Sequence, residues 1–173
     1  MSCKNCGREL QNSRQQYCEE CKRKRQNACV KKCNQTRYKN DPEFRKDMVR
    51  RTLEWQSNHP KRHWARTAIM NHKLHGFQIT FSIDELENLA FKTLRCEICG
   101  IQLDYKKKGT RGWIRNSPSL DNIYHKHSMS IKDVRITCAQ CNSARHNMTD
   151  DEFFEYCRRI VVSVFFDKYH RNP

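Results

Sequence analysis

The sequence predicts an α+β fold held together by cysteine clusters more than by a large apolar core. Three observations predict it. Four C-x2-C steps occur, at Cys3/Cys6, Cys18/Cys21, Cys96/Cys99 and Cys138/Cys141. Helix-start signatures stand at Asp41-Pro42, Ser82–Glu85 and Thr149–Glu152, where a side-chain oxygen can accept from an otherwise unpaired backbone N–H. Short alternating runs at 119–124 and 133–137 read as two strands joined by a loop.

Composition bounds the rest. The chain has 173 residues, 34 Lys+Arg against 19 Asp+Glu, and a formal net charge of +15. That length holds one or two small domains and excludes a large multidomain enzyme. Leu, Ile, Val and Phe make up just under a fifth of it, a share that with this charge normally marks disorder. No apolar run approaches the roughly 20 residues of a spanning helix, so no membrane association is expected. Met1-Ser2-Cys3-Lys4 carries no apolar stretch, so no signal peptide is expected and an intracellular setting is. A monomer is the starting expectation.

The cysteine spacing points to zinc. A C-x2-C turn aims two thiolates at one ion about 2.3 Å away, and two turns complete a tetrahedral site. Cys3, Cys6, Cys18 and Cys21 form one expected structural zinc site; Cys96, Cys99, Cys138 and Cys141 form the other. Disulfides belong to oxidising compartments and fit less well. Four thiolates per dication would lower the net charge to about +11. Cys29 and Cys33 read as loose thiols on a basic helix or as part of another metal set. Cys157, among Phe153, Phe154 and Ile160, reads as a small core residue.

The charge is uneven. Residues 22–75 hold sixteen Lys or Arg and four Asp or Glu, while only seven of the large aliphatic and Phe residues precede residue 77. Three parts are therefore expected: 1–36, a zinc ribbon with a basic tail; 37–76, a basic helical arm that grips DNA; and 77–173, a globular domain. In the arm, helices run from Pro42 to about Gln56 and from Pro60 to Gly76. Lys22, Arg23, Lys24, Arg25, Arg50, Arg51, Lys61, Arg62 and Arg66 are the candidate DNA contacts. In the third part Lys106, Lys107, Lys108 and Arg111 form a basic loop suited to phosphate. Duplex DNA is the expected partner; single-stranded RNA stacked on Trp55 and Trp64 is the alternative. Phe77–Phe81 reads as a short strand. A helix follows from Ser82 to about Thr93, with Ile83, Leu86, Leu89, Ala90 and Phe91 expected inward; a short one starts at Asn142, and an apolar one follows Thr149 through Phe153, Tyr156, Ile160, Val161, Val164 and Phe165.

The segments Cys96-Glu-Ile-Cys-Gly100, Ser117-Pro-Ser-Leu-Asp-Asn-Ile123, Asp133-Val-Arg-Ile-Thr-Cys138 and Cys141-Asn-Ser-Ala-Arg145, with Thr149–Phe153, resemble the HNH (His-Me finger, ββα-metal) nucleases, and within them the zinc-stapled phage, homing and endonuclease VII-like members. The resemblance implies a ββα-metal core pinned by the second zinc. It implies a metal-dependent DNA endonuclease or nickase, with Asp121 and Asn142 holding one catalytic Mg²⁺ or Mn²⁺. Homing or mobile-element function is the first expectation, restriction or phage defence the second, branched-DNA resolution the third.

The sequence departs from the family at one position. The general-base His usually follows the Asp, and here that residue is Asn122, whose amide cannot take a proton near neutral pH. Asp133 stands where a base-orienting Asn is usual. Three readings follow: His125 or His127 acts as base; the chain is a non-catalytic zinc-dependent DNA-binding protein on an HNH fold; or Asn122 replaces an original His. His146 is a further candidate for contact with phosphate or metal.

Overall fold

The computed structural model describes residues 2–10, 15–106 and 114–170, the last five as backbone only. It is α+β, and its residues group into two compact units, Met1–Trp55 and Gln56–Pro173.

In the first unit a bridge between Ser2 and Glu9 closes a cysteine turn. Cys3 N donates to Arg8 O at 2.8 Å and Gly7 N to Cys3 O at 2.9 Å. Gly7 sits at φ +74°, where a side chain would be strained. Helix α1, Glu19–Asn40, follows the second cysteine pair. Sequence periodicity did not show this helix, because it has no apolar stripe and Cys21 is its one buried residue. It rests instead on acidic residues in its first turn, basic ones in its last, and an i,i+4 pair of Glu20 with Lys24 at 2.7 Å. Asp41 caps the next helix, α2 (Pro42–Asn58), by accepting from Phe44 N at 3.0 Å.

In the second unit α3 spans Pro60–Leu74 with proline in its first turn. Gly76, at φ +88°, ends it, and Phe77 N donates back to His72 O at 3.0 Å. Strand β1 (Gln78–Ile79) pairs in parallel with β3 (Ser128–Met129). Between them in sequence lies α4 (Ile83–Lys92), opened by the expected capping box: Ser82 Oγ accepts from Glu85 N, and Glu85 accepts from Ser82 N. Strands β2 (Pro118–Asn122) and β4 (Val134–Cys138) form an antiparallel pair with Leu120 opposite Ile136 and Asp121 opposite Arg135. Two helices complete the chain, α5 (Ala139–Arg145) and α6 (Asp150–His170).

Two apolar clusters support the hairpin. One joins Ala65, Ile69, Phe81, Leu86, Leu120, Met129 and Val134; the other joins Ala90, Leu103, Ile136, Cys96, Cys138 and Cys141. Trp64 and Leu89 touch both. The Trp64 indole donates to Pro118 O at 2.9 Å, tying α3 to the start of β2. Helix α3 thus belongs to the unit that begins at Gln56, whereas composition alone placed the boundary after residue 76. Its buried stripe, Ala65 and Ile69, is too narrow to stand out in a basic segment.

Two further expectations shift. Helix α5 begins three residues before Asn142, with Cys138 as its cap: Cys138 Sγ accepts from Cys141 N at 3.3 Å. The capping box of α6 forms, with Glu152 N donating to Thr149 Oγ1. Of the apolar residues that run through α6, Phe153 is buried and Tyr156, Ile160, Val161, Val164 and Phe165 are exposed; in α4 Leu86 and Ala90 are buried as expected, whereas Phe91 faces solvent. Lys107, Lys108 and Arg111 of the basic loop lie outside the described residues. Among the described residues no helix is long and apolar enough to cross a membrane.

Candidate metal centres and hairpin–helix site

Each cysteine quartet comes together as the spacing requires. In both sets the four Sγ atoms lie within 4.8 Å of one another. A tetrahedral ion with bonds of about 2.3 Å needs sulfurs about 3.8 Å apart. Cys99 Sγ and Cys138 Sγ are 3.8 Å apart, and Cys6 Sγ and Cys18 Sγ 3.6 Å. Backbone amides prepare the thiolates. Hydrogen bonds from the backbone of Cys18 and Asn5 lower the Cys3 thiol to about 6. Burial opposes ionisation of Cys96, yet amides of Cys99, Cys138 and Ile98 bring it down to about 7. Burial and the crowded sulfurs push Cys141 up instead. Four such thiols cannot all ionise unaided, and a dication is what lets them. The residues fit zinc at both places. Cys29 and Cys33 are exposed on α1, outside both sets, and Cys157 is half-buried.

The hairpin face toward α5 carries the other predicted residues. Strand alternation puts Ser119 and Asp121 on that face, with Thr137 and Arg135 opposite them in register. Asn142 Nδ2 donates to Ser119 Oγ at 2.9 Å. Asp121 is 3% exposed, and both of its oxygens are taken. Oδ1 accepts from Arg145 Nη2 at 2.6 Å and Oδ2 from Arg135 Nε at 2.8 Å. Arg145 is wholly buried and also donates to Asn122 O at 2.9 Å and Met148 O at 2.6 Å. Arg135 forks onto both oxygens of Asp150 at 2.7 and 2.6 Å, which holds that carboxyl below the usual range and fixes the first turn of α6.

The two loop histidines part company. His125 adopts φ +52° and lies against the cluster, Nε2 being 3.3 Å from both Arg145 Nη1 and Met148 O. The His127 ring instead neighbours Phe77, 6.2 Å between centroids. The Asn122 amide is spent on the loop itself: Nδ2 donates to Lys126 O at 2.7 Å and Oδ1 accepts from Lys126 N at 3.2 Å. Asp133 ties the far side, accepting from Lys126 Nζ and from Ser130 N and Oγ, which lowers its pKa strongly. His146 ends α5 at φ +48° and is exposed.

Arg135, Arg145 and Asp150 were absent from the sequence-derived site. Pairing the two strands by their alternation would have put Arg135 across from Asp121. Arg145 lies one helical turn from Asn142, a spacing that places both on one face of α5.

The candidate DNA contacts sit differently from one another. Lys22, in a loose pair with Glu19 at 3.9 Å, and Arg23 are exposed on α1. Lys24 pairs with Glu20; Arg25 donates to Tyr17 Oη and stacks on its ring. Arg50 pairs with Asp47 and Glu54, and Arg51 with Asp47. Arg62 joins α3 to α4 through Asp84 and Glu87 at 2.7 and 2.5 Å. Lys61 lies over Phe91 and Tyr105. Arg66 and Lys106 are exposed.

The molecule defined so far is an α+β protein with two cysteine quartets able to hold a metal ion, one of them beside a hairpin–helix junction. No family model and no curated protein matches the chain. Among solved structures it is similar to that of the rare-cutting HNH restriction endonuclease PacI, at 17% identity over 94% of each chain, with a TM-score of 0.38.

Proposed function

We propose that the chain is a zinc-stabilised DNA endonuclease of the HNH type, site-specific and of the homing or mobile-element kind. The observation that carries this reading is that Asp121 and His125 both meet Arg145 of α5, while Asn142, directly after Cys141, bonds Ser119 on the same face of β2. The β2–β4 hairpin followed by α5 supports a ββα reading of this region, with the N-terminal quartet as a zinc ribbon and the basic α1 as a DNA grip.

His125 takes the role that Asn122 cannot. In the tautomer whose Nε2–H donates to Met148 O, Nδ1 keeps a lone pair and is the proton acceptor. A water oxygen attacks phosphorus and its proton passes to Nδ1. The bond to the 3′ oxygen breaks, and that oxygen takes a proton from solvent. Asn142 and Asp121 offer the oxygen donors that suit Mg²⁺ or Mn²⁺. With both Asp121 oxygens accepting from guanidinium groups, however, the arrangement described does not fit such an ion, and no step is assigned to one.

That same pairing favours a second reading, a non-catalytic zinc-dependent DNA-binding protein on the same core. Plasmid nicking, with and without Mg²⁺ or Mn²⁺, separates the two. The endonuclease nicks, stops nicking as His125→Ala and continues as His127→Ala. Absence of cleavage by this chain and by Asn122→His alike establishes the second reading.

A further inference from the structure

The second cysteine quartet is built from two turns far apart in sequence. Cys99 and Cys138, with sulfurs 3.8 Å apart, are separated by 39 positions, against 12 for Cys6 and Cys18 of the first quartet. Closing the longer loop costs more chain entropy, and ligands held in place bind more tightly than ligands that must be ordered. The first turn closes on itself: Gly100 N donates to Cys96 O and Cys96 N to Ile101 O, both at 2.9 Å. Glu97, inside that turn, reaches beyond it. Its Oε1 accepts from Ile136 N at 2.9 Å, and its own N donates to Ile136 O at 3.2 Å. One residue of the first turn thus holds both main-chain groups of Ile136, two residues before Cys138.

We infer that Glu97 is a positioning residue of the second metal site. It fixes where Cys96 and Cys99 stand relative to Cys138 and Cys141, and so sets how tightly zinc is held; the inference rests on the zinc reading given above. Glu97 bonds to β4 as a neighbouring strand would, its side chain standing in for a strand carbonyl. Ile136 is wholly buried, so its N–H without that acceptor would be left unpaired away from water. The residue before it, Arg135, pairs with Asp121, so the same brace steadies the hairpin face that carries the candidate site.

The brace works by reach and not by charge. Four thiolates on one dication already carry a net charge of about −2, and a further carboxylate beside them adds repulsion. Partners that orient metal ligands without touching the metal account for roughly 10–100-fold in affinity.

Zinc transfer from the intact chain to a colorimetric chelator, at stepped chelator concentration, tests this. The first quartet in the same molecules is the reference. Glu97→Gln loses the charge and keeps an oxygen at the same reach, and it should release both zinc ions as the parent does. Glu97→Asp keeps the charge and is one methylene short. It should release one ion at roughly 10–100-fold lower chelator concentration and the other as the parent does. The ion that moves is the one that Cys6→Ser retains. Parent-like release from Glu97→Asp, or early release from Glu97→Gln, overturns the brace and leaves the zinc assignment standing. A parent chain that binds no zinc overturns that assignment, and the brace with it.

Discussion

Arg145 and Asp121 face each other at 2.6 Å across the junction of α5 and β2, both shut off from water. With Arg135 and Asp150 they form a chain of alternating charge that ties the hairpin, α5 and α6 together. Burying such ions is costly, and removing one partner leaves the other uncompensated. Asp121→Asn is therefore expected to destabilise the metal-free protein by about 3–5 kcal/mol, measured by urea unfolding. A carboxylate that merely awaited an ion would give the opposite result, since neutralising it would cost nothing. Equal stability of Asp121→Asn and the parent would remove the structural role.

The capping boxes, the two strands and both cysteine quartets were legible because each depends on local spacing: a side chain reaching three residues along, alternation of period two, two thiols on one turn. The Asp121–Arg145 pair was not. It joins residues 24 positions apart, and a buried arginine looks in sequence like any surface arginine. Helix α1 was read only as a basic helix around Cys29 and Cys33, without its bounds, for the converse reason: nothing apolar marks a helix that buries one cysteine. The exposure of α6 escaped because apolar content says that a face must be covered and not which surface covers it.

The two quartets serve different units, so their losses should separate. Cys138 belongs to the apolar cluster with Ile136 and Leu103, and Cys138→Ser is expected to unfold the second unit along with losing its metal. Cys6, exposed in the first unit, is replaceable by Ser with loss of one zinc only. Metal analysis paired with near-ultraviolet circular dichroism reads both. Two zinc per chain in the parent and one in Cys6→Ser is the expected result; a Cys6→Ser protein that retains two contradicts the assignment.

Acid should loosen the loop that Asp133 ties and the α6 anchor at Asp150. Asp133 is depressed by Lys126 and Ser130, and Asp150 by Arg135. A carboxyl with a lowered folded pKa adds stability that is fully present above its ordinary value of about 4 and is lost as pH falls through the folded value. Unfolding free energy is thus expected to be flat with respect to these groups near neutrality and to fall below about pH 4. Asp133→Asn should flatten part of that fall, as followed by urea titrations at stepped pH.

Trp64 tests whether α3 belongs to the second unit. Its indole bonds to Pro118 O and its ring meets Tyr105 edge-on at 5.5 Å. Trp64 is partly buried, so Trp64→Ala should cost about 2–3 kcal/mol, below the range for a fully buried aromatic, and shift the unfolding midpoint of the second unit. A helix serving only as a solvated DNA arm would tolerate the change with little loss.

The candidate DNA contacts differ in what they already hold, and salt dependence distinguishes them. A lysine or arginine that neutralises a phosphate releases a counterion, so removing it lowers the slope of log K against log salt by about one. Arg23 and Lys22, the latter only loosely paired with Glu19 at 3.9 Å, are exposed on α1, and Lys22→Gln with Arg23→Gln should lower the slope by about two. Arg62 is held between Asp84 and Glu87. Those carboxylates already screen its charge, so Arg62→Gln should leave the slope unchanged and cost under about 1 kcal/mol of stability, as partly exposed pairs do. Fluorescence anisotropy on a labelled duplex across a salt series measures both. A slope that falls for Arg62→Gln and not for the α1 pair would move the DNA-binding face from α1 to α3.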